Sequence, residues 1–186
     1  MIKLLKFSAV TALFVIAAYV AMAQTQYKLN LKSSSMLVKG TSTIHDWEMK
    51  VEDFNGGFTL AENQVLSSLN SGNLVISVKS IKSDQNLMNK KTYEALKEEE
   101  HPQIKVKIIQ VDHSQNKAQL ELTIAGKTQK LNEDFQLVKH ENGTLQIKGI
   151  LEIKMSDYGI KPPVALMGTI KTNDEVKIAY DLNYHK

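Results

Sequence analysis

The sequence predicts an all-β fold with one helix: an antiparallel barrel of about eight strands, the helix lying in a connection between two of them. Three observations lead there. Apolar and polar residues alternate with period two through most of the chain. The breaks between alternating runs carry hairpin chemistry, such as Glu141-Asn142-Gly143. One stretch alone, Asp84 to Glu98, replaces period two with helical spacing. Strands with one wet and one dry face belong to antiparallel sheet rather than to buried parallel sheet. A long meander of such strands must hide its edges, and closure does so completely. A two-sheet sandwich is the alternative, and its core would be solid.

Residues 1–23 read as an address. Lys3 and Lys6 give a positive start, Ser8 to Val20 an uncharged apolar run, and Ala21-Met22-Ala23 a small-x-small end. This is the pattern of a cleaved secretory signal peptide. The apolar run is shorter than the roughly 20 residues a spanning helix needs. The expected domain is therefore residues 24–186, placed in the periplasm or secreted. No cysteine is present, so ordinary packing rather than disulfides must hold it.

The strands follow in order. Tyr27, Leu29 and Leu31 alternate with Lys28, Asn30 and Lys32; Trp47, Met49 and Val51 alternate with acidic residues and Lys50. Asn55-Gly56-Gly57 is expected to break or bulge a strand. Leu74, Ile76 and Val78 share a phase, as do Ile104, Val106 and Ile108, after which Ile109 and Val111 shift it and predict a bulge. Leu120, Leu122 and Ile124 follow, with His113 to Lys117 as the hairpin loop before them and Gly126 as a turn residue after them. Leu145, Ile147, Leu151, Ile153 and Met155 form a strand that Gly149 should bend. Val176, Ile178, Tyr180, Leu182 and Tyr184 end the chain. Roughly nine or ten strands are expected in all. The helix should run about 12 residues from a cap at Ser83 or Asp84 and stop before Pro102. Its end at Glu98-Glu99-Glu100 opposes the helix dipole and should fray.

Composition excludes several functions. The 23 basic residues face 20 acidic ones and all are lysine, which argues against nucleic acid as a partner. The five histidines are not spaced as a ligand set, so neither a metal nor a cofactor is expected. Ser42, His45 and Asp46 supply the residue types of a hydrolase triad, but on one strand Ser42 and His45 would face opposite ways, and no G-x-S-x-G is present. No catalytic residue is assigned. Lys90-Lys91 reads as a solvated helix face or as a contact for an anionic headgroup. Asp157-Tyr158-Gly159 with Pro162-Pro163 reads as a lid or as a rigid connector.

Several segments, in order, resemble the YceI-like family of exported lipid-binding proteins. They are Lys39 to Trp47, Val78 to Ser83, Asn89 to Lys97 with His101-Pro102-Gln103-Ile104, Leu120 to Thr128, and Met155 to Pro163. The resemblance covers roughly Tyr27 to Tyr184. It implies a lipocalin-like barrel whose apolar pore takes a long-chain isoprenoid or similar lipid. The chain departs from the family pattern near its start, where Asn30 stands in place of a common acidic residue.

The inward phase, taken from polarity, names the expected cavity lining. It comprises Leu74, Ile76, Val78, Ile104, Val106, Leu120, Leu122, Ile147, Ile153, Ile178 and Leu182, with Met88 and Leu96 on the helix and Trp47 near one barrel end. Met88, Met155 and Met167 would adapt to an irregular tail. The expected role is a carrier or store for an isoprenoid or fatty amphiphile, with transient membrane contact allowed and a homodimer left open. The competing reading is a structural or stress-related interaction module whose core is filled.

Overall fold

The computed structural model describes residues 24–61, 69–112 and 114–186. Residues 1–23, read above as an address, and His113 lie outside the described residues.

The described strands are β1 (Gln24–Leu29), β2 (Ser35–Ser42), β3 (Asp46–Val51), β4 (Phe54–Ala61), β5 (Leu69–Ser77), β6 (Ile81–Lys82), β7 (Gln103–Asp112), β8 (Lys117–Ile124), β9 (Lys127–Lys139), β10 (Leu145–Lys154), β11 (Val164–Ala165) and β12 (Ile170–His185). Helix α1 spans Asn86–Ala95. They close into an eight-stranded antiparallel barrel. More segments than barrel strands are present because three staves are each broken in two and the short β11 pairs the start of β12 off the barrel path. β1 and β2 lie end to end along one edge of β12. β3 and β4 lie end to end against them, as β2 pairs β3 and β1 pairs β4. β5 and β6 make the third, pairing β4 and β3. From β5 the wall continues β7-β8-β9-β10-β12 and closes where Leu29 meets Tyr184.

Alternation predicted these strands because each buries one face. Tyr27, Met49, Val51, Leu74, Ile76, Ile104, Leu120, Leu122 and Leu182 are all buried, while the lysines between them are not. The expected bulge is present as a register shift between Ile108 and Gln110. The Asn142-Gly143 hairpin is present, with Gly143 at φ 81° donating its N–H to the His140 carbonyl. Gly126 closes a two-residue turn with Ala125, both at positive φ. The glycine pair at 56–57 does not break its strand. β4 runs through it, and neighbouring backbone lies where side chains at Gly56 and Gly57 would stand. The break falls just before, at Glu52-Asp53.

Helix α1 is shorter than expected, and neither Ser83 nor Asp84 is its N-cap. The cap position is Gln85, without a side-chain bond. Ser83 instead exchanges hydrogen bonds with the Asn89 amide. The helix end is closed by a hydrogen-bonded turn. Lys97 turns left-handed at φ 52°, Glu98 N–H reaches the Tyr93 carbonyl at 3.0 Å, and Lys97 N–H reaches Glu94 at 3.2 Å. This Schellman closure uses a position that favours glycine. Lys97→Gly should therefore raise stability by roughly 0.5–1 kcal/mol, read from the urea midpoint.

Candidate functional site: an apolar cavity with a polar station

The barrel encloses a cavity of about 540 Å³. That is within the range of roughly 300–1,000 Å³ usual for small-molecule sites. Its mouth is located by lining residues that are also exposed: Ile44 in the β2–β3 turn (59%), Leu87 on α1 (66%) and Val164 in β11 (55%). These elements share the barrel end where β2, β6, β8 and β10 run out. At the opposite end the floor is aromatic. Phe58 stacks on Tyr27 at 5.2 Å and meets Tyr184 at 4.9 Å between ring centroids.

Of the residues the inward phase selected, Trp47, Leu74, Ile76, Met88, Leu96, Ile104, Val106, Leu120, Leu122, Ile147, Ile153, Ile178 and Leu182 line this cavity. Val78 does not. It is buried, but the chain leaves β5 for a 3-10 turn over Val78–Ser80 there, which ends the alternation one residue earlier. Trp47 sits over Gly40, its cross-strand partner, where no Cβ would fit beneath the indole. Its Nε1–H donates to the Thr41 carbonyl. α1 is moored by Thr92, which donates to the Met49 sulfur at 3.3 Å, and by the Tyr93 hydroxyl on the Lys79 carbonyl. That mooring holds Met88 and Leu96 at the cavity. Lys91 also lines it, while pairing with Glu94 at 2.9 Å.

The segment after β10 is built into the site. Gly159, at φ 68°, ends a short 3-10 turn over Met155–Tyr158, and Tyr158, Ile160 and Pro163 line the cavity. Burial pushes the Tyr158 hydroxyl up to about 12, and that hydroxyl has no hydrogen-bond partner among the described residues.

Alternation also placed two polar groups inside that the inward list lacked. On β9 the inward phase reads Leu131, Glu133, Phe135, and Glu133 is only 7% exposed. Tyr180 on β12 passes over Gly149, whose missing side chain makes room for the phenol, and donates its hydroxyl to Glu133 Oε1 at 3.0 Å. Gly149 thus clears a path for the ring. The readable signal was an acidic residue between two apolar ones of the same phase. Burial holds the Glu133 carboxyl above the ordinary glutamate range; the Tyr180 bond opposes this and Asp134 and Glu152 add to it. Burial likewise raises Tyr180 and Tyr184.

A raised carboxyl gives a definite sign. Above about pH 4.5, the ordinary value, the unfolded chain releases a proton that folded Glu133 still holds. Stability contributed by this group therefore falls as pH rises through its raised value, then levels. Glu133→Gln keeps an acceptor for Tyr180. It should flatten that slope in urea titrations between pH 4.5 and 8, and raise stability at the upper end by about 1 kcal/mol.

The wall is incomplete beside this pair. The β9–β10 ladder runs from Lys139 with Leu145 to Phe135 with Gly149. Past that point β9 pairs with β8 and β10 with β12. A cleft of about 360 Å³ occupies the seam, lined by Leu131 to Asp134, Ile150 to Glu152, and Lys117. Glu133 and Leu151 face both this cleft and the cavity.

The hydrolase residue types do not meet as a triad. Ser42 Oγ donates to the His45 carbonyl at 2.8 Å, and His45 Nδ1 bonds the Asp46 carbonyl, so both are spent on the turn backbone. Among the described residues no group of three or more His, Asp or Glu is placed to hold a metal ion. No described helix is long and apolar enough to cross a membrane.

Comparison with known proteins agrees with this architecture. The model of the YceI-like domain matches residues 27–184. Among solved structures, BcnA of Burkholderia cenocepacia superposes with a TM-score of 0.70 at 18% identity, covering 83% of this chain and 98% of its own. A polyisoprenoid-binding domain from Saccharophagus degradans, implicated in plant cell wall breakdown, gives 0.67 at 14% identity, covering 86% and 97%. The YceI protein of Campylobacter jejuni gives 0.58 at 13% identity, covering 74% and 84%. No curated protein matches the sequence significantly. With its family model spanning nearly all of the described barrel, the chain belongs to the YceI-like domain family.

Proposed function

We propose that this protein is a binding protein that carries or stores a long-chain lipid-like molecule, an isoprenoid or fatty amphiphile, rather than an enzyme. The cavity carries this reading: it is large, it is lined mainly by Leu, Ile, Val and Met, and its mouth is open. Each CH₂ of a tail moved from water into such a bore gains about 0.8 kcal/mol. A flexible tail needs no fixed polar code, which fits aliphatic walls with few rings. The Saccharophagus neighbour, a polyisoprenoid-binding domain, supports the ligand class. The leader-like composition of residues 1–23 supports a periplasmic setting, where such a tail must cross water between membranes.

Native mass spectrometry of the chain from residue 24, expressed in its native host, followed by organic extraction, tests the reading. A stoichiometric apolar adduct is expected. A clean apo mass after incubation with long-chain isoprenoids and fatty acids would leave the filled-core module as the better account.

Loading takes place at a lipid surface. Ile44, Leu87 and Val164 extend the cavity lining into solvent, and Met167 is fully exposed in the turn after β11. An apolar rim continuous with an apolar bore lets a tail pass from bilayer to barrel without meeting water. Leu87→Glu with Val164→Glu should slow transfer from lipid vesicles about tenfold and weaken equilibrium affinity by less, because these side chains line the cavity only at its exposed mouth. Equal losses of rate and affinity would place them in the site instead.

A further inference from the structure

We propose that Glu133 and Tyr180 form a recognition station for the hydrogen-bond-donating end of a single-chain amphiphile, a long-chain alcohol or amine, whose tail lies along the apolar bore. This rests on the cavity-binding reading above and narrows it.

Glu133 is the charged residue type that an apolar cavity least tolerates, and it is more than nine-tenths buried. Tyr180 satisfies one of its oxygens. Among the described residues Glu133 has no ion pair, and its second oxygen has no hydrogen bond. Lys117, the cation in the adjoining cleft, is 3.9 Å from Asp134 instead. The station is thus an acceptor facing an apolar bore, with its remaining capacity open to a donor. An alcohol supplies one hydrogen bond, and an ammonium adds charge complementarity. A carboxylate would meet like charge, and a hydrocarbon would leave the oxygen unpaired.

The position suits a head group. Tyr180 lies four residues before Tyr184, about 13 Å along β12 from the aromatic floor. Glu133 borders the seam between β9 and β10, so a small polar head there is close to the outer cleft, while its tail has the bore toward α1 and Trp47.

Four compounds with the same tail test this: octadecane, octadecanol, octadecylamine and stearic acid, each delivered from methyl-β-cyclodextrin. Trp47 is the single tryptophan and lines the cavity, so its fluorescence reports occupancy. The full mature chain should bind the alcohol and the amine at least about tenfold more tightly than octadecane, with stearic acid weaker than the alcohol. Glu133→Leu should bring the four affinities together. Glu133→Gln should keep the alcohol ahead of octadecane and remove the amine's lead over the alcohol. Tyr180→Phe should retain the amine preference, because Glu133 remains to pair with the ammonium. Equal affinities in the unmodified protein, or an unchanged order in Glu133→Leu, would overturn the station and leave the cavity reading standing. Failure of all four compounds to bind would overturn the cavity reading itself. Circular dichroism confirms folding of each variant, and if Glu133→Leu does not fold, the isosteric Glu133→Gln decides.

Discussion

Ile153→Trp should abolish lipid uptake and leave a folded barrel. Ile153 stands on β10 opposite Val176, is only partly buried, and lines the cavity. An indole there grows into open space rather than into packed neighbours. Bound lipid recovered by extraction should fall at least about tenfold, since the tail and the ring compete for one volume. The urea midpoint separates the two accounts of the interior. In an open bore the extra volume costs little. In a filled core the same change would force side chains off their rotamers at about 1–3 kcal/mol.

Phe54→Ala should do the reverse, removing stability without narrowing the bore. Phe54 is 2% exposed, begins β4, pairs in register with Ile76, and is absent from the cavity lining. Truncation of such a ring leaves a void that the surrounding strands cannot fill, at a cost of about 3–5 kcal/mol. For a domain with roughly 5–15 kcal/mol to lose, that is a large fraction. Denaturation should report it directly. At temperatures where the variant remains folded, affinity for a C18 alcohol should stay within about threefold of the unmodified protein. A parallel loss of binding would mean that Phe54 shapes the site after all.

Period two made the barrel readable, because every stave must sort its residues between water and the interior. The same sorting placed all but one of the residues it named at the cavity, since the inner phase of a closed sheet faces the bore wherever the strand stays regular. It misled at Val78, where the phase continues in sequence but the backbone has already turned. β2 and β9 carry weaker patterns. In β2, Gly40 and Thr41 interrupt the apolar series, and in β9 Glu133 occupies an inner position. That second irregularity is the local trace of the buried Glu133, while its partner Tyr180 lies on a different strand. Contacts between strands distant in sequence, such as Glu133 with Tyr180, leave no local pattern. Nor does the end of the β9–β10 ladder, which depends on how far two neighbours diverge. The helix closure at Lys97 was hidden for a different reason, as lysine rarely announces a left-handed turn.

The interruptions in the three broken staves lie side by side. Asn30 to Ser34 separates β1 from β2, Glu52-Asp53 separates β3 from β4, and Val78 to Ser80 separates β5 from β6. Stitches cross between them: Glu52 N–H to Ser80 carbonyl, Ser77 N–H to Asp53 carbonyl, and Ser80 Oγ to Asp53 carbonyl. β12 passes this level as one uninterrupted strand of 16 residues. The molecule is thus a sleeve creased on one side and stiff on the other. A sheet folded along a crease bends there before its panels deform. The upper panel of β2, β3 and β6 is thereby set off from β1, β4 and β5 by one fold line, and β12 alone carries the wall across it unbroken.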